Sequence, residues 1–111
     1  MVKYSSESLD AVFGALSDPT RRAITEHLAE RGAASVSELA EPFPVTLPAI
    51  VKHLYVLERA GLVENWKEGR TRYCRLRGDP LDAASDWLER YSRFWRDRFS
   101  GLHRYLREDE A

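Results

Sequence analysis

Leu9, Val12, Phe13 and Leu16 fall at i, i+3, i+4 and i+7, a spacing that predicts an amphipathic helix over residues 6–16. Asp18-Pro19 then reads as a start signal. An aspartate caps free N–H groups, and a proline at the first helical position forfeits no hydrogen bond. A second helix runs from there to Arg31 with Ala23, Ile24 and Leu28 inward, and Gly32 is its left-handed stop. Ser35-Val36-Ser37-Glu38 fits a capping box before a short helix carrying Leu39 and Ala40, with Ser37 as an alternative cap. Pro42 ends that helix and Phe43-Pro44-Val45 makes a tight connection. Thr46 caps a fourth helix whose inner stripe is Ile50, Leu54 and Leu57, with Gly61 as its close. Two extended runs, 62–67 and 71–76, flank Glu68-Gly69 and read as a hairpin. Asp79-Pro80 repeats the cap-plus-proline device and opens a last helix over about 80–107.

A short helix joined by a tight turn to a longer one is a helix-turn-helix unit, whose second helix is able to enter a DNA major groove. The hairpin directly after it would be a wing. The predicted fold is therefore mainly α with a small β-hairpin: a winged helix-turn-helix with a long C-terminal helix suited to dimerisation. It forms one domain over 1–111, divided into an N-terminal helix (1–17), the helix-turn-helix plus wing (18–78) and a C-terminal helix (79–111).

Composition supports one globular unit, with 111 residues, 43% hydrophobic and 32% charged. No apolar run reaches the ~20 residues of a membrane span, and the opening MVKYSSESLD lacks a signal peptide's apolar stretch. A lone cysteine, Cys74, precludes an internal disulfide framework. These features predict a cytoplasmic protein with no membrane partner. The net charge of −1 argues against a nonspecific nucleic-acid coat. Its distribution is uneven, however. Residues 46–78 hold seven basic and three acidic side chains, net +4, between flanks of net −3 (1–45) and −2 (79–111). A basic middle third points to one polyanion-facing surface, although a solvated, salt-bridged surface would read the same way. No Gly-rich phosphate loop, nucleophile–base pair or metal cluster is present, which argues against an enzyme.

Four stretches resemble the ArsR/SmtB family of bacterial winged-helix repressors. They are Leu16-Ser17-Asp18-Pro19-Thr20-Arg21-Arg22-Ala23-Ile24, Val36-Ser37-Glu38-Leu39-Ala40, Pro48-Ala49-Ile50-Val51-Lys52-His53-Leu54 with Leu57, Ala60, Gly61, Leu62 and Val63, and Gly69-Arg70 with Tyr73 and Leu76. Together they span about residues 16–76. The resemblance implies that the two terminal helices pair copies of the chain, as homodimers that bind inverted-repeat operators and block transcription. The chain departs from the family's metal sensors. Its short helix, Ser37-Glu38-Leu39-Ala40-Glu41, has no cysteine, and its last helix has one histidine, His103, without an Asp-x-His pair. A metal site needs three or four convergent ligands, so no metal and no cofactor are expected. His27 and His103 are expected to be surface or interface residues, and Cys74 a small strand filler.

With Ile50, Leu54 and Leu57 inward, the opposite arc of the fourth helix holds Leu47, Pro48, Val51, Lys52 and Tyr55. Leu47 and Val51 donate no hydrogen bond but are able to pack on thymine methyls, a form of direct readout. Lys52 suits guanine or phosphate, and Thr46 with the first-turn N–H groups suits phosphate. His53 matches a family position next to DNA; packing beneath the wing is the other reading. Tyr55 either stacks on the DNA backbone or fills an apolar seam. Lys67, Arg70 and Arg72 are the wing candidates, for phosphate or minor-groove contact rather than only for solubility.

Six of the twelve aromatic residues lie in the last third: Trp87, Tyr91, Phe94, Trp95, Phe99 and Tyr105. Leu88, Trp95 and Leu102 repeat every seven residues. This apolar surface wraps wider than packing on its own domain requires, and a partner should cover it. The expected homodimer interface is Leu9, Val12, Phe13, Trp87, Leu88, Tyr91, Phe94, Trp95 and Leu102. The expected function is sequence-specific binding of double-stranded DNA as a homodimeric repressor on an inverted repeat. A winged-helix protein-interaction module is the rival reading. An effector, if one exists, would be a small molecule or a redox change.

Overall fold

The computed structural model describes residues 6–110, and the side chains of all of these except 6, 99, 102, 103 and 108–110. Phe99, Leu102 and His103, singled out above, thus lie outside the described side chains. The elements run α1 (Ser6–Ala15), α2 (Pro19–Arg31), β1 (Ala34–Ser35), α3 (Val36–Ala40), α4 (Leu47–Arg59), β2 (Val63–Glu68), β3 (Thr71–Leu76) and α5 (Asp79–Glu110).

Local capping chemistry sets most of these boundaries. Asp18 Oδ2 accepts the Arg21 N–H at 3.1 Å, with Pro19 as the first helical residue of α2. The Ser35 capping box is complete: Ser35 Oγ accepts the Glu38 N–H at 3.1 Å, and Glu38 Oε1 accepts the Ser35 N–H at 3.2 Å. Ser35 rather than Ser37 is therefore the cap. Helix α4 ends in a Schellman arrangement. Leu62 N–H reaches Leu57 O at 3.0 Å and Gly61 N–H reaches Glu58 O at 2.9 Å, with Gly61 at φ 78°.

Three details differ from the sequence reading. Residues Ala34–Ser35 form a third strand, so the hairpin belongs to an antiparallel sheet of order β1-β3-β2. Strand β2 runs to Glu68, and the two-residue turn is Gly69-Arg70. Glycine with φ 62° at the first loop position is what a type II′ turn requires. At the start of α5, the Asp82 N–H bonds to Gly78 O at 2.9 Å, so Gly78 is the cap. Asp79 lies in the first turn, where its charge complements the helix dipole.

The core sits where α2, α3, α4 and the sheet meet. Ile24, Leu28, Leu39, Ile50, Leu57 and Leu62 are each at most 1% exposed. Burying such a side chain contributes roughly 1.5–3 kcal/mol. Cys74 is fully buried on β3, its Sγ donating to Ala34 O at 3.6 Å, and acts as the filler expected of it. Val12 is also core, at 2% exposure. This corrects its assignment to the dimer face, because its surface is already covered by its own chain. Leu9 and Phe13 are half-buried and keep some surface. Phe13 meets Trp87 edge-on at 5.7 Å between ring centroids, which holds α5 against α1. Past Ala84, α5 leaves the core. Trp87, Leu88, Tyr91, Phe94, Trp95, Tyr105 and Leu106 are 36–60% exposed.

Candidate nucleic-acid interface

Thr46 Oγ1 accepts the Ala49 N–H at 3.3 Å and fixes where α4 begins. Pro48 lies in its first turn. With Ile50, Leu54 and Leu57 buried, the helix presents Leu47, Pro48, Val51, Lys52 and Tyr55 to solvent as one arc. The expected reading residues are thus brought together. Tyr55 is on the exposed side, its hydroxyl accepting from Arg59 Nη1 at 3.4 Å and its ring lying under the same guanidinium at 5.9 Å.

The wing stands beside this arc. Directly opposed residues in an antiparallel pair share a face, so Lys67 and Arg72 lie on the face of Asn65 and Cys74. That face looks onto α4 across a cleft of about 370 Å³, lined by Val51, Tyr55, Val63, Asn65 and Arg72 among others. Arg72 donates to Asn65 Oδ1, a neutral acceptor. Arg70 occupies the hairpin turn. On the other face Arg75 pairs with Glu64 and covers the Trp66 ring at 5.3 Å, while Arg77 lies 3.9 Å from Glu64. The basic middle third therefore divides: Arg75 and Arg77 are spent on Glu64, Arg59 covers Tyr55, and Arg72 lines the cleft that faces α4.

His53 is the residue whose surroundings sequence reasoning missed. It packs neither on the open arc nor beneath the wing. Its Nδ1 lies 3.4 Å from Arg21 Nη1 and 3.9 Å from Asp18 Oδ2, at the start of α2. Arg21 also donates from Nε to Ala15 O at 2.6 Å, and Arg22 Nη1 donates to Leu16 O at 2.8 Å. The pair of arginines in Asp18-Pro19-Thr20-Arg21-Arg22 thus ties off the free carbonyls ending α1. The Arg21 backbone N–H holds the Asp18 carboxyl below its ordinary pKa. Burial pushes the Cys74 thiol up to about 11, the opposite of a poised redox cysteine. Among the described residues no group of three His, Cys, Asp or Glu side chains stands close enough to hold a metal ion.

Comparison with known proteins agrees with this geometry. A family model described as a helix-turn-helix domain matches residues 16–65. The HTH-type transcriptional regulator Rv2034 of Mycobacterium tuberculosis is 42% identical over 94 residues, spanning 85% of this chain and 84% of the relative. A crystal structure of the ArsR family transcriptional regulator RHA00566 superposes with a TM-score of 0.75 at 43% identity, over 86% of this chain and 97% of the other. The chain belongs to the ArsR family of winged helix-turn-helix regulators. The transcriptional repressor SdpR of Bacillus subtilis, 32% identical over 72% of this chain and 88% of its own length, is a further relative. As an ArsR-family protein the chain is a DNA-binding transcriptional regulator and not an enzyme. No helix among the described residues is long and apolar enough to cross a membrane.

Proposed function

We propose that the protein is a homodimeric repressor that occupies an inverted-repeat operator in the cytoplasm. The observation that carries this is the open arc of α4 facing, across the cleft, a wing arginine, Arg72, that meets no carboxylate among the described residues. Leu47 and Val51 pack on thymine methyls, Lys52 donates to guanine or phosphate, and Thr46 with the first-turn N–H groups holds a phosphate. Lys67, Arg70 and Arg72 follow the backbone or the minor groove. Pairing through α5 and the open parts of α1 covers the exposed aromatic face. It also sets two α4 helices about 34 Å apart, one turn of DNA, and so demands a two-fold site. The decisive experiment is a mobility shift on the protein's own promoter region against competitor DNA. Specific binding should weaken in Lys52→Ala and when operator thymines facing Leu47 and Val51 are replaced by uracil, which lacks only the methyl. The exposed apolar Leu47, Val51 and Tyr55 favour one other reading, a protein-docking surface. Equal affinity for promoter and competitor DNA would select it.

A further inference from the structure

Arg21 stands in the first turn of α2, where the helix dipole opposes a cation. Its guanidinium is held there by carbonyls of α1 and lies beside an imidazole nitrogen of α4. Nε donates to Ala15 O at 2.6 Å and Nη2 to Gly14 O at 3.4 Å, both at the end of α1. Nη1 faces His53 Nδ1 on α4 at 3.4 Å. Asp18 closes the ring, accepting the Arg21 backbone N–H while lying 3.9 Å from the same imidazole nitrogen. One planar side chain thus meets the helix that borders the pairing surface and the helix that reads DNA.

The geometry points to Arg21 as a positioning residue for operator recognition, acting through His53 to set the roll of α4 relative to α1. This rests on the DNA reading above and adds a residue outside the binding arc. The inner face of α4 is held by Ile50, Leu54 and Leu57, and apolar packing is non-directional. A hydrogen bond is directional, and a guanidinium fork more so. His53 follows Lys52 directly and lies two residues from both Val51 and Tyr55, so a roll that breaks the Arg21 contact carries all three with it. Side-chain tips lie about 6 Å from a helix axis, so a roll of about 20° moves them by about 2 Å. That displacement exceeds what a base-edge hydrogen bond tolerates, whereas flexible phosphate contacts survive it. The signature is therefore lost discrimination rather than lost affinity for DNA as such.

The test measures affinity for operator and for random duplex in wild type, Arg21→Gln, Arg21→Lys, His53→Ala and Arg21→Gln/His53→Ala. Arg21→Gln should lower operator affinity by about tenfold or more while random-duplex affinity stays within about twofold. Arg21→Lys should behave the same, because it keeps the charge and loses the fork. In the His53→Ala background Arg21→Gln should add less than about twofold. Imidazole NMR on the free protein should show the His53 Nδ1 signal moving in Arg21→Gln, independently of any DNA. Should Arg21→Gln prove poorly folded by circular dichroism, His53→Ala carries the same discrimination test. Equal losses on operator and random duplex, or an Arg21 effect undiminished in His53→Ala, would mean that Arg21 only clasps α1, and would overturn the inference. A wild-type protein without operator preference would instead overturn the DNA reading on which it rests.

Discussion

Replacing both Arg70 and Arg72 by alanine removes the two wing arginines that no carboxylate compensates among the described residues. Each cation that meets a phosphate releases counterions, and each such contact contributes about 0.9 to the slope of log affinity against log salt. A two-fold dimer carries every wing residue twice. Two substitutions therefore remove four contacts, and the slope should flatten by about 3.6. Between about 50 and 200 mM salt, a fourfold change, wild type should lose about two orders of magnitude more affinity than the variant. The defect of Arg70→Ala/Arg72→Ala should thus be large at low salt and nearly gone at high salt, for operator and random duplex alike. Fluorescence anisotropy with a labelled duplex across a salt series measures both slopes directly. Parallel wild-type and variant lines would show that the wing does not touch phosphate. A change of about 1.8 would leave the wing contacts in place but assign one arginine per subunit rather than two.

On the proposed pairing, Trp95→Asp should give a monomer by light scattering and reduce operator affinity steeply; a wild type that is monomeric at micromolar concentration and binds its operator one-to-one would refute pairing. Asp18 and Glu38 both have folded pKa values below the ordinary 3.8 and 4.5, from the hydrogen bonds of their caps. Their stabilisation is therefore present above those ordinary values and lost as pH falls through the folded ones. Asp18→Asn, which keeps an oxygen acceptor that does not titrate, should lose less melting temperature than wild type between about pH 7 and pH 3. Equal losses would remove Asp18 from the acid response. Cys74 should resist iodoacetamide at about pH 8 in the native protein and react readily in urea, since only the exposed thiolate is nucleophilic. Prompt labelling of native protein would contradict its burial on β3.

Elements whose signals are local were legible in the chain. Caps at Asp18, Ser35 and Thr46 act within three residues, and the Ile50, Leu54 and Leu57 stripe repeats within one helix. What escaped depends on distant partners. Strand β1 has two residues, too few to show a period, and exists only because Ala34 finds Cys74 forty positions later. The apolar rhythm of α1 marks Val12 as inward without saying whether its own chain or a second copy covers it. His53 lies off the buried stripe of α4, and nothing near it in sequence announces Arg21, thirty-two residues away. A signal was nonetheless present, since two consecutive arginines at the positive end of a helix invite the question of which acceptors hold them.

Ser35 belongs to two structures at once. It is the register partner of Tyr73 in the sheet and the cap of α3, where its side chain and backbone both bond to Glu38. The wing is consequently not an independent flap. Sliding β3 by one residue would turn Cys74 outward and drag on Ser35, uncapping the first helix of the helix-turn-helix. Variation in wing length is therefore cheap at Gly69-Arg70, where the hairpin ends free, and costly at its root. Whatever bends the base of the wing is registered at α3 as a broken cap, so exchange of the Glu38 amide should keep time with that of Tyr73 and Cys74.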